Sequence, residues 1–224
     1  MKKIAIHQPN FLPWLGYFYK MKQCDVFVVL DDVLVSNSGS YFTQMTVKNT
    51  DGTALRVSLP KRKHTGDILI REVIPSENYS FFRKKFFKTL HMLYKKAPYF
   101  QQHYEAIDQI FKISFRCLYE LNVELIRYCA QCLNIECQMI FASDLNSIQQ
   151  KEARIIDLIK KLEGDVYISG NGAKNYQKEE DFDKNGIRLM YSDFKNQPYP
   201  QLYGKFISGL SVVDFLFNTN GKNF

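Results

Sequence analysis

Long hydrophobic runs are absent from this chain of 224 residues. Since no stretch of about 18 apolar residues occurs, the sequence predicts no transmembrane helix. The charged N-terminus passes directly into a short strand, without the apolar segment of a secretory signal peptide. We therefore expect a cytoplasmic protein. A hydrophobic content of 46% and a charged content of 24% agree with a soluble globular domain.

The sequence lacks the cysteine pattern of a disulfide framework or of a complete zinc site. The chain has five of them, and an odd number argues against a disulfide framework in a cytoplasmic protein. Cys129 and Cys132 have the spacing of two zinc ligands, but no second pair accompanies them and both lie in a helical pattern. We interpret the cysteines as buried free thiols, and we expect no metal site.

Acidic residues are fewer than basic ones, with 23 Asp and Glu against 30 Lys and Arg. The net charge of +7 favours an anionic partner, such as nucleic acid, an anionic membrane surface or a phosphorylated substrate, and charge alone does not separate these. Basic residues concentrate at 61–64 and along a helical pattern at 83–96. Such runs fit either a solvated face or contact with acidic lipid or a carrier.

The first 32 residues have the pattern strand, polar loop, helix and strand. An apolar strand at 4–6 leads into His7, and a second one at 26–30 leads into Asp31 and Asp32. The alternation of strands and helices returns later, with strands expected at 137–142, 165–169 and 186–191. Strands separated by helices predict an α/β fold with a mostly parallel, Rossmann-like sheet.

The middle of the chain departs from that alternation. Extended stretches at 41–48 and 53–59 flank a turn at 49–52 and predict an antiparallel hairpin, with a further short strand at 68–74. Helical periodicity follows at 79–94 and at 109–133, and a short helix capped by Ser208 or Ser211 is expected at 210–217. We therefore expect a single α/β domain over 1–224, with a hairpin region at 41–74 and a helical insert at 79–133.

Polar residues follow the strands at the edge where open α/β sheets bind ligands. His7 fits a general acid or base near neutral pH, or a histidine that only bonds the following turn. Asp31 and Asp32 point to opposite faces, so one of them is expected in the site, unless both cap a turn. Trp14 and Tyr17 fit stacking on a base or sugar ring, or packing against the sheet.

A glycine-containing loop follows the strand at 165–169. Gly170 and Gly172 allow backbone amides to approach an anion, and Lys174 supplies positive charge. The loop matches neither the P-loop nor the Rossmann fingerprint. Because the carboxyl ends of parallel strands share one edge, we expect this loop, His7 and the aspartates to line one cleft.

Three segments resemble a known family. They are HQPNFLPWLGYF at 7–18, followed by CDVF at 24–27 and the two aspartates, then YISGNGAKNY at 167–176, and LSVVDFLFN at 210–218. With them, the chain resembles the WbqC-like proteins of bacterial O-antigen and capsule gene clusters over essentially its whole length. The resemblance implies a role in the biosynthesis of surface polysaccharide such as lipopolysaccharide. It also implies an activity that transfers glycine or another acyl group to an amino sugar.

With that resemblance, we expect an N-acyltransferase or aminoacyltransferase that modifies the amino group of a nucleotide-linked amino sugar. The expected catalytic residues are His7 as general base, Asp32 as the group that orients the amine, and Asn171 as a stabiliser of the oxyanion. The expected substrate-binding residues are Gln8, Asn10, Trp14, Tyr17, Asp31, Gly170, Gly172, Lys174 and Tyr176.

We expect no tightly bound cofactor. The expected donor is an acyl thioester on coenzyme A or on an acyl-carrier protein, because no recognisable ATP motif is present and positive charge suits an acidic carrier. ATP is the alternative. Peripheral membrane contact is a further expectation, and nucleic acid is not an expected partner.

Two other functions stay open. The strand, histidine turn and helix at the start of the chain are similar to those of nucleotidyltransferase-like α/β ligases, which use ATP, although Gly16 is not followed by a second histidine. The other is a non-catalytic binding module, which would recruit a polysaccharide assembly complex to the membrane through the basic helix.

Overall fold

Residues 1–35 and 40–224 are described by a computed structural model of the chain. They form seven β-strands in two sheets, and seven α-helices. They divide into two compact units. The first comprises Met1–Gln8, Gly16–Asp32 and Ile135–Lys195, and the second comprises Pro9–Leu15, Val33–Asn134 and Asn196–Phe224. That the chain acts as a single domain stays a prediction.

A five-stranded parallel sheet organises the first unit. Its neighbouring strands all run parallel, and they lie in the order β5 (Gln138–Phe141), β2 (Val26–Val29), β1 (Lys3–His7), β6 (Val166–Ser169) and β7 (Arg188–Tyr191). The central strands are short and almost continuously apolar, as is typical of strands covered on both faces. The predicted α/β fold with a mostly parallel sheet, in which β1 pairs with β2, is confirmed.

Three helices connect these strands: α1 (Leu15–Lys22), α5 (Lys151–Lys161) and α6 (Glu179–Asp183). The core of the unit includes Ile4 from β1, Ile159 from α5 and Phe182 from α6, all fully buried. A Cβ atom at Gly164 would lie 2.5 Å from Ile4 Cγ1 and 2.9 Å from Ile159 Cγ2. Glycine at 164 therefore allows the chain to pass close to the sheet after α5.

The second unit contains the predicted hairpin. Strands β3 (Gln44–Lys48) and β4 (Ala54–Ser58) pair antiparallel, with Lys48 opposite Ala54. Gly52 has a φ of +81°, which a residue with a side chain adopts only at a cost, and its N–H donates to the carbonyl of Asn49 over 3.0 Å. The glycine of the turn signal therefore determines where the chain reverses, and the antiparallel hairpin is confirmed.

Four helices complete the second unit: α2 (Tyr79–Tyr94), α3 (Phe100–Lys112), α4 (Leu118–Cys132) and α7 (Val212–Thr219). The α3 helix packs against α2, α4 and α7. The rings of Phe86 on α2 and Phe111 on α3 stack with centroids 5.2 Å apart. The Ser211 side chain accepts a hydrogen bond from the backbone N–H of Val213, which confirms the predicted N-cap of α7.

The single helix predicted at 109–133 is wrong. The chain breaks between α3 and α4, where Ile113 has an extended backbone. The Glu120 carboxylate accepts hydrogen bonds from the backbone N–H groups of Arg116 (2.7 Å) and Cys117 (3.4 Å). Glu120, in the first turn of α4, thus caps the start of a new helix. The spacing of apolar residues does not reveal this start.

The strand predicted at 68–74 is also wrong. A 3₁₀ turn occupies Ile70–Glu72. It is flanked by isolated bridges, which join Leu34 to Leu69 and Lys61 to Pro75. The Glu72 carboxylate accepts a hydrogen bond from the Leu69 N–H over 3.2 Å, which favours a local turn over an extended strand.

A buried polar network joins α7 to β3 and to the segment near residue 200 in the second unit. Asp214 accepts hydrogen bonds from the hydroxyls of Tyr94 (2.7 Å) and Tyr199 (2.8 Å). Lys48 Nζ donates to Gln201 Oε1 and to two backbone carbonyls. Burial raises the pKa of Asp214, although the two hydroxyls and the Lys48 charge oppose that rise. The network offsets the cost of burying both charges.

Candidate active site

Several polar residues of the first unit lie at the carboxyl edge of the parallel sheet. His7 ends β1, Asp31 and Asp32 follow β2, and residues 170–176 follow β6. We call residues 170–176 the glycine loop. Because β1 lies between β2 and β6, these three strand ends are adjacent. This is the edge where open α/β sheets bind ligands.

His7 is half-buried at the end of β1. Its Nδ1 lies 3.1 Å from the Gln8 carbonyl oxygen, and its ring meets the Tyr17 ring edge-on at 4.8 Å between centroids. Burial, and secondarily the charge of Lys20, lower the pKa of His7 to about 3. The imidazole is therefore neutral at pH 7. When Nδ1–H donates to Gln8, Nε2 is left as a proton acceptor.

Lys20 is a buried amine on α1 that sequence reasoning missed. Its side chain is nearly inaccessible, and Nζ donates a 2.9 Å hydrogen bond to the Ile6 carbonyl, one residue before His7. Burial lowers the pKa of Lys20 to about 7. Helical spacing could have indicated its burial, because Lys20 lies on the same helix face as Tyr17 and Met21, which are both buried.

The two aspartates have different partners. Asp31 accepts hydrogen bonds from the backbone N–H (3.1 Å) and the hydroxyl (2.6 Å) of Ser143, at the turn that follows β5. This is the turn-capping arrangement that the sequence left as an alternative. Asp32 instead forms an ion pair with Arg154 of α5. The substrate-binding role of Asp31 stays a prediction.

The Asp32–Arg154 pair keeps unused hydrogen-bonding capacity. Both side chains are mostly buried. Within the described part of the chain, Asp32 Oδ1 and Arg154 Nε have no hydrogen-bond partner although both atoms are inaccessible. Buried polar atoms are usually paired, so unpaired ones mark a place to look for function. Sequence reasoning missed Arg154, which lies 122 residues from Asp32.

The glycine loop is open to solvent. Asn171, Lys174 and Tyr176 are exposed, while Ala173 is buried and anchors the short 3₁₀ turn Asn171–Ala173. Lys174 Nζ lies 5.1 Å from the centre of the Tyr191 ring at the end of β7. A Cβ atom at Gly170 or Gly172 would meet nothing within 4 Å. The glycines therefore leave space beside the backbone for a ligand to approach.

The remaining predicted residues lie in different surroundings. Tyr17 is buried in the first unit, packs against Phe18 and Phe27, and donates to the Gln8 carbonyl over 3.1 Å. Asn10 and Trp14 belong to the second unit, where both line a cavity. That all the predicted residues line one cleft stays a prediction.

No three side chains among the described His, Cys, Asp and Glu residues come together as a metal site would require. Across residues 1–35 and 40–224, no helix has the length and apolar character needed to cross a bilayer.

The burial of His7 predicts a pH-dependent stability. A histidine whose pKa falls from 6.5 to about 3 on folding contributes stability that is fully present above pH 6.5 and is lost as the pH falls toward 3. Between pH 7 and pH 5, this loss amounts to up to about 2 kcal/mol. Urea unfolding at both pH values measures it. The His7→Asn variant should show a smaller loss, and an equal loss would contradict the prediction.

Comparison with known proteins places the chain in a family. The WbqC-like protein family matches residues 8–224. A protein from Mycobacterium tuberculosis, described as uncharacterized protein Rv1507c, is 27% identical over 227 residues, which cover 99% of this chain and 96% of that protein. No solved structure matches the chain. The match over nearly the whole length means that the chain belongs to the WbqC-like protein family.

Proposed function

We propose that the carboxyl edge of the parallel sheet is the active site of an N-acyltransferase or aminoacyltransferase, with glycyl transfer included. Its substrate would be the amino group of a nucleotide-linked amino sugar, for surface polysaccharide biosynthesis. The observation that supports the proposal most is the position of His7 at the end of β1, beside the strand that leads into an open glycine loop carrying Lys174. The edge would thus offer a proton acceptor next to a loop suited to an anionic group.

In the proposed reaction, the sugar amine attacks the carbonyl carbon of an acyl thioester on coenzyme A or an acyl-carrier protein. The C–N bond forms and the C–S bond breaks. His7 Nε2 accepts a proton from the attacking nitrogen, and the departing thiolate takes up that proton. Asn171 and the backbone amides of the glycine loop would stabilise the oxyanion. Lys174 would bind the diphosphate of the substrate.

Substrate binding would adjust His7 for this role. A pKa of about 3 makes His7 a weak base in the free protein. A diphosphate held near the glycine loop brings negative charge to the same edge, which favours the imidazolium and raises the pKa of His7. Asp32, held by Arg154, stays the proposed group that orients the amine.

Mass spectrometry of the reaction mixture tests the proposal. The purified protein is incubated with nucleotide-linked amino sugars and each donor in turn: acyl and glycyl thioesters of coenzyme A, acyl-carrier protein thioesters, and free amino acids with ATP. We expect an acylated sugar nucleotide from a thioester. A product from amino acid and ATP alone would favour the ligase, and no product from any donor would contradict catalysis.

The glycine loop provides a second test. We expect Gly172→Ala to leave the stability unchanged or slightly raised, because the new Cβ meets no protein atom. The methyl group would instead obstruct a ligand that approaches the backbone, and we expect the KM for the sugar nucleotide to rise about tenfold. Steady-state kinetics and thermal unfolding measure the two effects. A variant with normal KM would remove the loop from the site.

A second candidate function is a binding module that docks on anionic membranes. Its support is the surface of α2, which exposes Lys84, Lys85 and Lys88 together with the apolar Phe81 and Met92. Exposed cations with neighbouring apolar side chains suit the interface of an acidic bilayer.

Vesicle sedimentation separates this candidate from the enzyme. We expect the triple variant Lys84→Glu, Lys85→Glu and Lys88→Glu to lose binding to vesicles with acidic lipid, by more than tenfold, if α2 is the docking surface. A matched control changes the charge equally on the first unit, with Lys151→Glu, Lys178→Glu and Lys184→Glu. Equal binding by both variants and the unchanged protein would reject docking through α2.

A further inference from the structure

The second unit contains an open cavity of about 180 Å³. The segment 10–14 forms one wall, strand β3 with Tyr41 forms another, and the residues just before α7 complete it. Its lining is Asn10, Leu12, Pro13, Trp14, Tyr41, Gln44, Met45, Thr46, Gly209 and Ser211. All of these residues belong to the second unit, so the cavity is defined without reference to the first.

The lining is uncharged and mixes apolar with polar groups. It combines two accessible aromatic rings, Trp14 at 39% and Tyr41 at 71% exposure, with side-chain amides and hydroxyls. Among the lining residues, none carries a charge at pH 7. Because a charged group placed against such a wall would lack a counter-charge, the cavity favours a neutral ligand.

The wall formed by the segment 10–14, with the residue before it, is held in place by hydrogen bonds. The N–H of Phe11 donates to the Tyr41 carbonyl (3.0 Å), and the Ser211 hydroxyl donates to the Leu12 carbonyl (2.6 Å). The buried Asn122 on α4 donates through Nδ2 to the carbonyls of Pro9 (2.9 Å) and Phe42 (2.8 Å). These bonds fix the wall relative to β3.

The backbone of the wall is strained at Leu12. Its φ is +41°, in the left-handed region that a residue with a branched side chain rarely occupies. Its side chain is fully buried, and its carbonyl bonds Ser211. Backbone strain of this kind persists where the surrounding structure enforces it, and it clusters at ligand sites.

We propose that this cavity binds a neutral pyranose ring, with one face of the sugar stacked on the exposed ring of Tyr41. Its volume is well below the roughly 300–1,000 Å³ of pockets for drug-sized ligands, so it admits a single ring. Aromatic faces pack against the C–H groups of a sugar, and the side-chain amides of Asn10 and Gln44 and the hydroxyl of Thr46 would bind its hydroxyl groups. The proposal stands independently of the acyl transfer proposed for the first unit.

The single tryptophan of the chain makes the proposal testable in solution. Because Trp14 is the one tryptophan in the sequence, its fluorescence reports on this cavity. The full-length protein is titrated with methyl glycosides of hexoses and of N-acetylhexosamines, and with uridine and adenosine for comparison. We expect a saturable fluorescence change with at least one glycoside, and calorimetry should give the same affinity.

Variants at exposed positions locate the binding. Tyr41→Ala should weaken the affinity about tenfold, since it removes a stacking surface without disturbing the core. Ile113→Ala, at an exposed apolar residue of the second unit that does not line the cavity, should leave the affinity unchanged. The proposal is overturned if no glycoside gives a saturable change by either method, if only nucleosides bind, or if Tyr41→Ala binds as tightly as the unchanged protein.

Discussion

The His7→Ala variant is expected to lower the rate of N-acyl transfer by about 10²- to 10⁴-fold, the usual range for removal of a general base. His7 provides the proton acceptor at the end of β1, and alanine offers none. The loss should appear mainly in kcat, because proton transfer belongs to the chemical step. Mass spectrometry or thiol release measures the rate.

His91→Ala is the matched control for this prediction. His91 is an exposed histidine on α2 in the second unit, and its replacement should leave the rate within twofold of the unchanged protein. If His7→Ala retains full kcat while folding normally, His7 is not the base.

The pH profile distinguishes a base from a residue with only a structural role. Lys20 lowers the pKa of His7 through its charge, in addition to the larger effect of burial. We expect Lys20→Met to raise the pKa of His7, and so to move the acid limb of kcat/KM to higher pH. A structural role for His7 would leave this limb in place.

The second large effect concerns the stability of the second unit. Asp214→Leu is expected to lower the free energy of unfolding by about 3–5 kcal/mol. The substitution removes the acceptor of the buried Tyr94 and Tyr199 hydroxyls, and it removes the negative charge near Lys48. Urea unfolding followed by circular dichroism measures the change.

A double-mutant cycle tests the cause of that loss. If part of it arises from the uncompensated Lys48 charge, Lys48→Met should cost less in the Asp214→Leu background than alone, with a coupling of about 0.5–3 kcal/mol. Asp183→Leu, at an exposed aspartate, should change the stability by less than about 0.5 kcal/mol. Strict additivity of Lys48→Met and Asp214→Leu would contradict the electrostatic explanation.

Local patterns in the sequence determined the sheet and the hairpin. Apolar runs at 4–6 and 26–29, separated by one short helix, predict neighbouring parallel strands, and the pairing of Ile4 with Val26 agrees. The glycine at 52 predicts the reversal between β3 and β4 because few other residues tolerate its φ. In both cases the signal lies within a few residues of the structure it specifies.

The same patterns failed where a nearby polar side chain competed with periodicity. Apolar residues continue at helical spacing through 109–133, yet Glu120 binds the backbone N–H groups that begin α4. At 68–74, Glu72 favours a turn over the extended form that the apolar residues suggested. A single hydrogen bond from a side chain to the backbone does not change the spacing of the apolar residues, but it can determine where a helix or turn begins.

Sequence alone selected His7, Asp32 and the glycine loop, because strand ends follow from the alternation of elements. It could not select Lys20 or Arg154 as their neighbours, or enclose a cavity between residues 10–14, 41–46 and 209–211. Tertiary structure decided these features because burial and pairing bring together groups far apart along the chain. The pKa of His7 follows the same rule, since it depends on how much water the folded chain removes from the imidazole and on which charge it places nearby.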